Sequence, residues 1–210
     1  MSRTLITAAA VLAGALLLAG CGGGGAGQQA TGLTGFTRDP VPQVGGVSLP
    51  DVGPVGKGKS VPMRAKPGNL LVVYFGFASC PDICPTTLSD VRGALKRLPV
   101  EQRTRVEVAM VTVDPKRDTA KVMRSYVGHF FESWRAYRTT DAAALADAEK
   151  AFGASHSITP SKSGGYDVVH SAFTYVVDDQ GRLLVEWPFA MPRRDISQDL
   201  STILEEDTNT

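Results

Sequence analysis

Three cysteines in 210 residues are too few for a disulfide-stapled miniprotein or a four-cysteine zinc site. Charge of one sign is also missing: 22 Lys and Arg against 21 Asp and Glu leave a formal charge of +1. With 7% aromatics and no basic stripe, nothing marks a nucleic-acid surface, and no nucleic-acid partner is expected. No internal repeat occurs, and outside the first residues no long hydrophobic run appears. What remains is 43% hydrophobic and 20% charged, enough apolar material for a packed core and too much for wholesale disorder.

The amino terminus reads as an address. Arg3 supplies a positive start, and Leu5 to Leu18 is an apolar run of signal-peptide length, short for a membrane span. It ends in Leu18-Ala19-Gly20-Cys21, which resembles a bacterial lipobox, so residues 1–20 are expected to be cleaved and Cys21 lipidated. An ordinary cleaved signal peptide is the plainer alternative. Acyl chains contribute about 0.8 kcal/mol per buried CH₂, and two or more hold stably. The mature chain is thus expected on the outer face of the bacterial membrane, where thiols meet oxidising conditions. Loss of Arg3 brings the formal charge to 0, so charge adds no second anchor. Residues 21–43 begin with a Gly-, Gln- and Thr-rich tether reaching on the order of 20 Å.

Residues 44–210 are expected to form one domain. Pro and Gly recur from Phe36 to Gly68 around short apolar pieces, which predicts an amino-terminal hairpin and loops. Asn69–Gly76 is a continuous apolar run rich in Val and aromatics, the mark of a strand buried on both faces, and Arg105–Asp114 reads as another buried strand. Between them Leu88, Val91, Leu95 and Leu98 recur at helical spacing over Pro85–Leu98. Asp118 or Thr119 caps a helix running to about Phe130, Trp134–Tyr137 is a short strand, and Asp141 caps an Ala-rich helix ending near Gly153. Asp167–Val177 and Arg182–Trp187 flank a hairpin signal, and a helix follows over about Asp195–Glu205. The order predicts an α/β fold, a mixed sheet with helices on both faces, and it is similar to a thioredoxin-like fold with an added amino-terminal β-hairpin and an extra βα insertion.

Chemistry concentrates at Cys80-Pro81-Asp82-Ile83-Cys84, directly after the first buried strand, where α/β folds place ligands. The positive end of the following helix favours thiolate, so a lowered thiol pKa is expected. At i and i+4 the two sulfurs can face one ion or close a disulfide, and the spacing does not choose. A purely structural disulfide is the plain alternative, although so small a loop constrains the unfolded chain little.

Of three histidines, His129 ends a helix and His156 lies in a polar, expectedly solvated loop spanning Gly153–Gly165. His170 opens a strand that, in a thioredoxin-like topology, starts opposite the cysteine loop. Thioredoxins place a proline there that shields the thiols; none occurs between Ser161 and Trp187, so the site is open to an ion. Two thiolates and one imidazole are a soft, low-coordinate set suited to Cu(I), Cu(II) would recruit a harder fourth ligand, and zinc accepts the same donors.

The blocks Tyr74–Leu88 (YFGFASCPDICPTTL), Val111–Thr119 (VTVDPKRDT) and Val168–Leu183 (VVHSAFTYVVDDQGRL) together resemble the Sco/SenC family of copper-binding, thioredoxin-like assembly proteins. The resemblance covers roughly Val44 to Leu204. It implies that Cys80, Cys84 and His170 are copper ligands. It also implies a role in assembling the binuclear copper centre of cytochrome c oxidase, by delivering copper or by reducing that centre's cysteines. The implied partner is the copper-centre subunit of the oxidase or another copper chaperone. Asp82 is expected to cap the helix start or tune the site, and Asp114 to stand behind the ligands. Family members often use a transmembrane helix where this chain has a lipid signal. A thiol–disulfide oxidoreductase built on Cys80 and Cys84 is the alternative from another class, and peroxide reduction a weaker third. Trp187, Phe189 and Met191 are expected mainly in the core.

Overall fold

The computed structural model describes residues 32–162 and 164–208. The signal segment, Cys21 and the start of the tether lie outside them. Five strands form the central sheet, in the order β5-β4-β3-β8-β9. These are β3 (Leu70–Gly76), β4 (Val106–Thr112), β5 (Trp134–Tyr137), β8 (Thr174–Val177) and β9 (Leu183–Trp187). β3 runs parallel to β4 and antiparallel to β8, so the sheet is mixed as expected. Every residue of β3 and β4 is buried, which is why their sequences show no polar alternation.

Successive residues of a strand face opposite sides. In β3 the ring of Phe75 meets Phe152 at 5.4 Å between centroids, on α4 (Ala142–Phe152). Its neighbour Tyr74 reaches Cys84 on α1 (Ile83–Leu95) across the other face. Helices therefore cover both faces. α5 (Arg193–Thr208) packs beside α1, and α3 (Ala120–Phe130) beside β5. A single turn, α2 (Val100–Arg103), follows α1. Thr119 and Asp141 cap α3 and α4 as read, accepting from Val122 N and from Ala143 and Ala144 N, while Gly153 ends α4 at φ 71°. Among the described residues no helix is long and apolar enough to cross a membrane.

The amino-terminal segment guards both sheet edges. Phe36 bridges Glu186 on β9, and the hairpin of β1 (Ser48–Pro50) and β2 (Ser60–Pro62) docks on β5 through Val52 N–H to Ala136 O at 2.8 Å. Asp51, fully buried, accepts from the N–H groups of Gly53, Gly56 and Ala136 and fixes that docking.

Two expectations change. The stretch read as one strand from Asp167 to Val177 is two, β7 (Tyr166–His170) and β8, parted at residues 171–173. The polar loop before it contains β6 (His156–Pro160), which pairs antiparallel with β7 as a separate two-stranded sheet. Its exposed Ser, Thr and Pro positions carry no buried period-2 face, so burial left no trace in the pattern. His170 therefore closes this outlying hairpin; it does not open the core strand.

Candidate metal centre

β3 ends at Gly76, and its chain turns through Phe77, Ala78 and Ser79 into the cysteine loop. α1 starts at Ile83, two residues before Pro85, which is tolerated in a first turn that has no intrahelical use for its N–H. Cys84 thus lies inside the helix, fully buried, and Cys80 just outside it, half-buried. Asp82 occupies the N-cap position but makes no side-chain cap; it is exposed and accepts only a 3.4 Å contact from Thr86 Oγ1. The capping role read for it is not observed.

The β6–β7 hairpin brings His170 over this loop. Its Nε2 stands 3.4 Å from Cys84 Sγ, and Cys84 N–H points at Cys80 Sγ across 3.4 Å. One ligand atom from each of Cys80, Cys84 and His170 lies within 4.8 Å of the other two. No other such group of three His, Cys, Asp or Glu forms among the described residues. Both cysteines are free thiols here.

The imidazole is held in a ligating posture. Nδ1 faces the Ser171 carbonyl at 2.9 Å, so the proton sits on Nδ1 and the Nε2 lone pair faces the sulfurs. Burial lowers its pKa, which keeps the ring neutral at neutral pH. Tyr74 and Phe77 stand edge-to-face against it, at 5.8 and 5.7 Å between centroids, and fix its plane.

Cys84 differs from the expected low-pKa thiol. Burial pushes it up to about 12, although the Phe77 backbone N–H and the Tyr74 hydroxyl, 3.6 Å away, both favour its thiolate. Desolvation outweighs the helix end because the sulfur sits under β3, away from solvent. The same burial carries the Tyr74 hydroxyl far above its ordinary range, so it remains a donor.

The second block of the sequence supports the loop from behind. Asp118 accepts from Ala78 N–H at 3.0 Å and Thr112 Oγ1 at 2.6 Å, tying the β4–α3 turn to the cysteine loop; burial raises its pKa. Asp114 is buried, but it faces the hairpin, not the sulfurs: Tyr166 donates to Oδ1 at 2.7 Å and Arg117 pairs with Oδ2. It stands behind the site, holding other residues.

His156 is not a solvated loop residue. It sits opposite His170 in the hairpin and its Nδ1 meets Glu149 Oε1 at 2.6 Å, on α4. His129 is exposed in the last turn of α3. Trp187 and Met191 are buried as expected, whereas Phe189 is 42% exposed.

Sequence reasoning gave four contributors no role at the site: Tyr74, Gly76, Phe77 and Asp118, the last read only as a candidate helix cap. All lie in the quoted blocks, and what they do depends on contacts across the fold that local periodicity does not encode. Gly76 carried the clearest signal, a glycine closing a buried strand. A Cβ there would stand 2.9 Å from Cys84 Sγ and 2.7 Å from the Tyr74 ring, so only glycine leaves room for the sulfur.

Known proteins resemble this chain in sequence and in fold. A profile of the SCO1/SenC family matches residues 56–205. An SCO2-like protein of Rickettsia prowazekii is 31% identical over 135 residues, covering 62% of this chain and 64% of that one. This chain therefore spans less than two thirds of that relative's length. Among solved structures, Bradyrhizobium japonicum ScoI with copper bound superposes with a TM-score of 0.62 and 26% identity, over 75% of this chain and 98% of that one. BsSco is a member of the Sco family of cytochrome c oxidase assembly proteins in which a disulfide switch was identified. It gives a TM-score of 0.58 at 21% identity, over 81% of this chain and 98% of that one, a likeness of fold.

Proposed function

The chain belongs to the SCO1/SenC family, and from that premise we propose that it is a copper carrier which holds the ion between Cys80, Cys84 and His170. The convergence of two sulfurs and one unprotonated imidazole nitrogen within 4.8 Å carries this reading. Soft thiolates with one nitrogen fit Cu(I), and the low coordination number leaves room for an incoming ligand. Uptake displaces the Cys84 proton, and the buried Tyr74 and Phe77 donors then offset part of the cost of a buried thiolate. Cys80, the half-buried sulfur at the loop's outer side, is the one a receiving protein reaches first. Transfer proceeds by ligand exchange there, without free ion.

The receiver is a copper centre of cytochrome c oxidase, in keeping with the assembly role stated for BsSco. A lipid on Cys21 holds the carrier at the outer membrane face, where that centre is built. Titration of reduced protein with Cu(I) against a chelator tests the site. One ion per chain is expected, with affinity lost in Cys80→Ser or Cys84→Ser; unchanged affinity in either ends the assignment. Cys21→Ser is expected to release the protein from membranes, and continued palmitate labelling of that variant would refute the anchor.

A second reading, thiol–disulfide exchange, has its own support. Cys80 is accessible and receives the Cys84 N–H, as an attacking thiolate needs, with Cys84 placed to resolve the mixed disulfide. His170→Ala separates the two: a reductase keeps its rate, while a copper carrier loses affinity sharply. In a strain lacking the protein, rescue of oxidase activity by added copper favours delivery, and failure of rescue favours reduction.

A further inference from the structure

The cysteines and the histidine are held by very different means. Cys84 belongs to a helix packed on the central sheet, while His170 ends a two-stranded hairpin that shares no ladder with that sheet. At the base of the hairpin Ser171 N–H donates to Ser155 O at 2.9 Å, and His156 pairs with Glu149 on α4. Four residues away, at the far end of β7, Tyr166 makes the other tie. Its hydroxyl donates to Asp114 Oδ1 at 2.7 Å. The Arg117 guanidinium, itself paired with the other oxygen of Asp114, lies 4.3 Å from the centre of its ring. Lys116 Nζ stands 5.3 Å from the same ring. Asp114 is almost fully buried, so this acceptor has no competing water at full strength. Between the two ties β7 offers the body only the half-buried side chain of Val168; Asp167 and Val169 face solvent.

The geometry points to Tyr166 as a positioning residue for His170: its clasp on Asp114 and Arg117 holds the hairpin down. Opening the clasp lifts the imidazole from the two sulfurs. The inference rests on the copper reading above and adds how release is regulated. With the clasp closed, copper has three donors. With it open, copper has two thiolates and an empty place that a partner's ligand fills. The clasp is built from the VDPKRDT turn, which also braces the cysteine loop through Asp118. One turn therefore bears on both halves of the site.

Tyr166→Phe in the full chain tests this, because it keeps the ring beneath Arg117 and removes only the hydroxyl bond. In metal-free protein, hydrogen exchange at the β7 amides is expected to quicken about tenfold, the factor for one hydrogen bond to a charged acceptor, with β3 amides unchanged. Release of Cu(I) to a chelator should quicken by about the same factor. In a His170→Ala background the same change should alter release less than twofold, since the imidazole it positions is gone; a merely structural role would accelerate both backgrounds alike. Equal β7 exchange in Tyr166→Phe and wild type overturns the clasp, and so does equal acceleration with and without His170. If wild type takes up no Cu(I), the copper reading fails while the exchange comparison still decides the clasp. Asp114→Asn provides a second variant with the same expectations, should Tyr166→Phe not fold.

Discussion

Replacing Gly76 by alanine puts one methyl group where the fold has left space for a sulfur. The ideal Cβ falls 2.9 Å from Cys84 Sγ and 2.7 Å from the Tyr74 ring, while ordinary contact begins at 3.4 Å. The sulfur must therefore retreat by about 0.5 Å and the ring by slightly more, into surroundings where Tyr74 and Cys84 are 1% and 0% exposed. Two effects oppose. Alanine in a strand recovers roughly 0.5–1 kcal/mol of backbone entropy, and overpacking a close-fitted core costs about 1–3 kcal/mol. Overpacking is expected to win because both neighbours are buried and one is an aromatic ring, and a net loss of about 1–2 kcal/mol is expected in urea unfolding. The effect on copper should be larger than this suggests. Metal sites accept ligand displacements of only about 0.2 Å, so a shift more than twice that is expected to weaken Cu(I) at least about tenfold in chelator competition. Both thiols should still react with a thiol reagent after denaturation. Gly46→Ala is the control: nothing lies within 4 Å of its Cβ, and a change within about 0.5 kcal/mol is expected. A Gly76→Ala protein as stable as wild type, with unaltered affinity, would show that the gap does not hold the sulfur.

Other outcomes follow from the same contacts. Cys84 is protonated below its raised pKa of about 12, so Cu(I) uptake near neutral pH should release a proton from it. Apparent affinity then rises with pH, and calorimetry in buffers of different ionisation enthalpy reads the release; none would refute the protonated thiol. Because this folded pKa is raised, its contribution to stability is present below the unfolded thiol range and is lost as pH climbs towards 12. For His170 the sign is opposite: its pKa is lowered on folding, so stability present above about 6.5 is lost as pH falls below it. His170→Ala should flatten that acid slope in metal-free denaturation curves. Arg135→Met leaves Glu107 buried without its partner, and frees the Arg64 carbonyl that Arg135 holds at 3.0 Å. About 3–5 kcal/mol should be lost in denaturant unfolding, most of it recovered by adding Glu107→Leu. Asp199→Asn turns one of two buried acceptors into a donor facing the N–H groups of Thr34, Gly35 or Trp187. A loss of about 1.5–3 kcal/mol and faster proteolysis before residue 36 are expected.

The main sheet was legible because its strands announce themselves. Leu70–Gly76 is apolar throughout and Val106–Thr112 at all but Glu107 and Thr112, as strands covered on both sides are. Caps at Thr119, Asp141 and Gly153 mark helix ends by local chemistry, and local chemistry is what a sequence displays. The β6–β7 hairpin was missed because it buries no continuous face: β6 is exposed at four of five positions. The same reason explains the misread His156. Its partner Glu149 lies on the preceding helix, and nothing in a Ser-rich stretch signals that a carboxylate waits across the turn. The thiol pKa went the wrong way because a helix amino terminus is visible in sequence, while the depth of a sulfur beneath a strand is not.

That division has a physical basis in what the proposed copper carrier has to do. A site that only binds gains from placing every ligand on the most buried elements, where opening costs the whole folding free energy. A site that also lets go needs one donor on an element that moves at lower cost. Here the sulfurs sit on the β3–α1 unit, whose strand is wholly buried, and the nitrogen on a hairpin held by a few side-chain ties. A strand outside the main sheet cannot carry the apolar run that would have revealed it, because burying such a run would fix it in place. The weakest sequence signal in the chain therefore coincides with the part of the site that exchange requires to be loosely held.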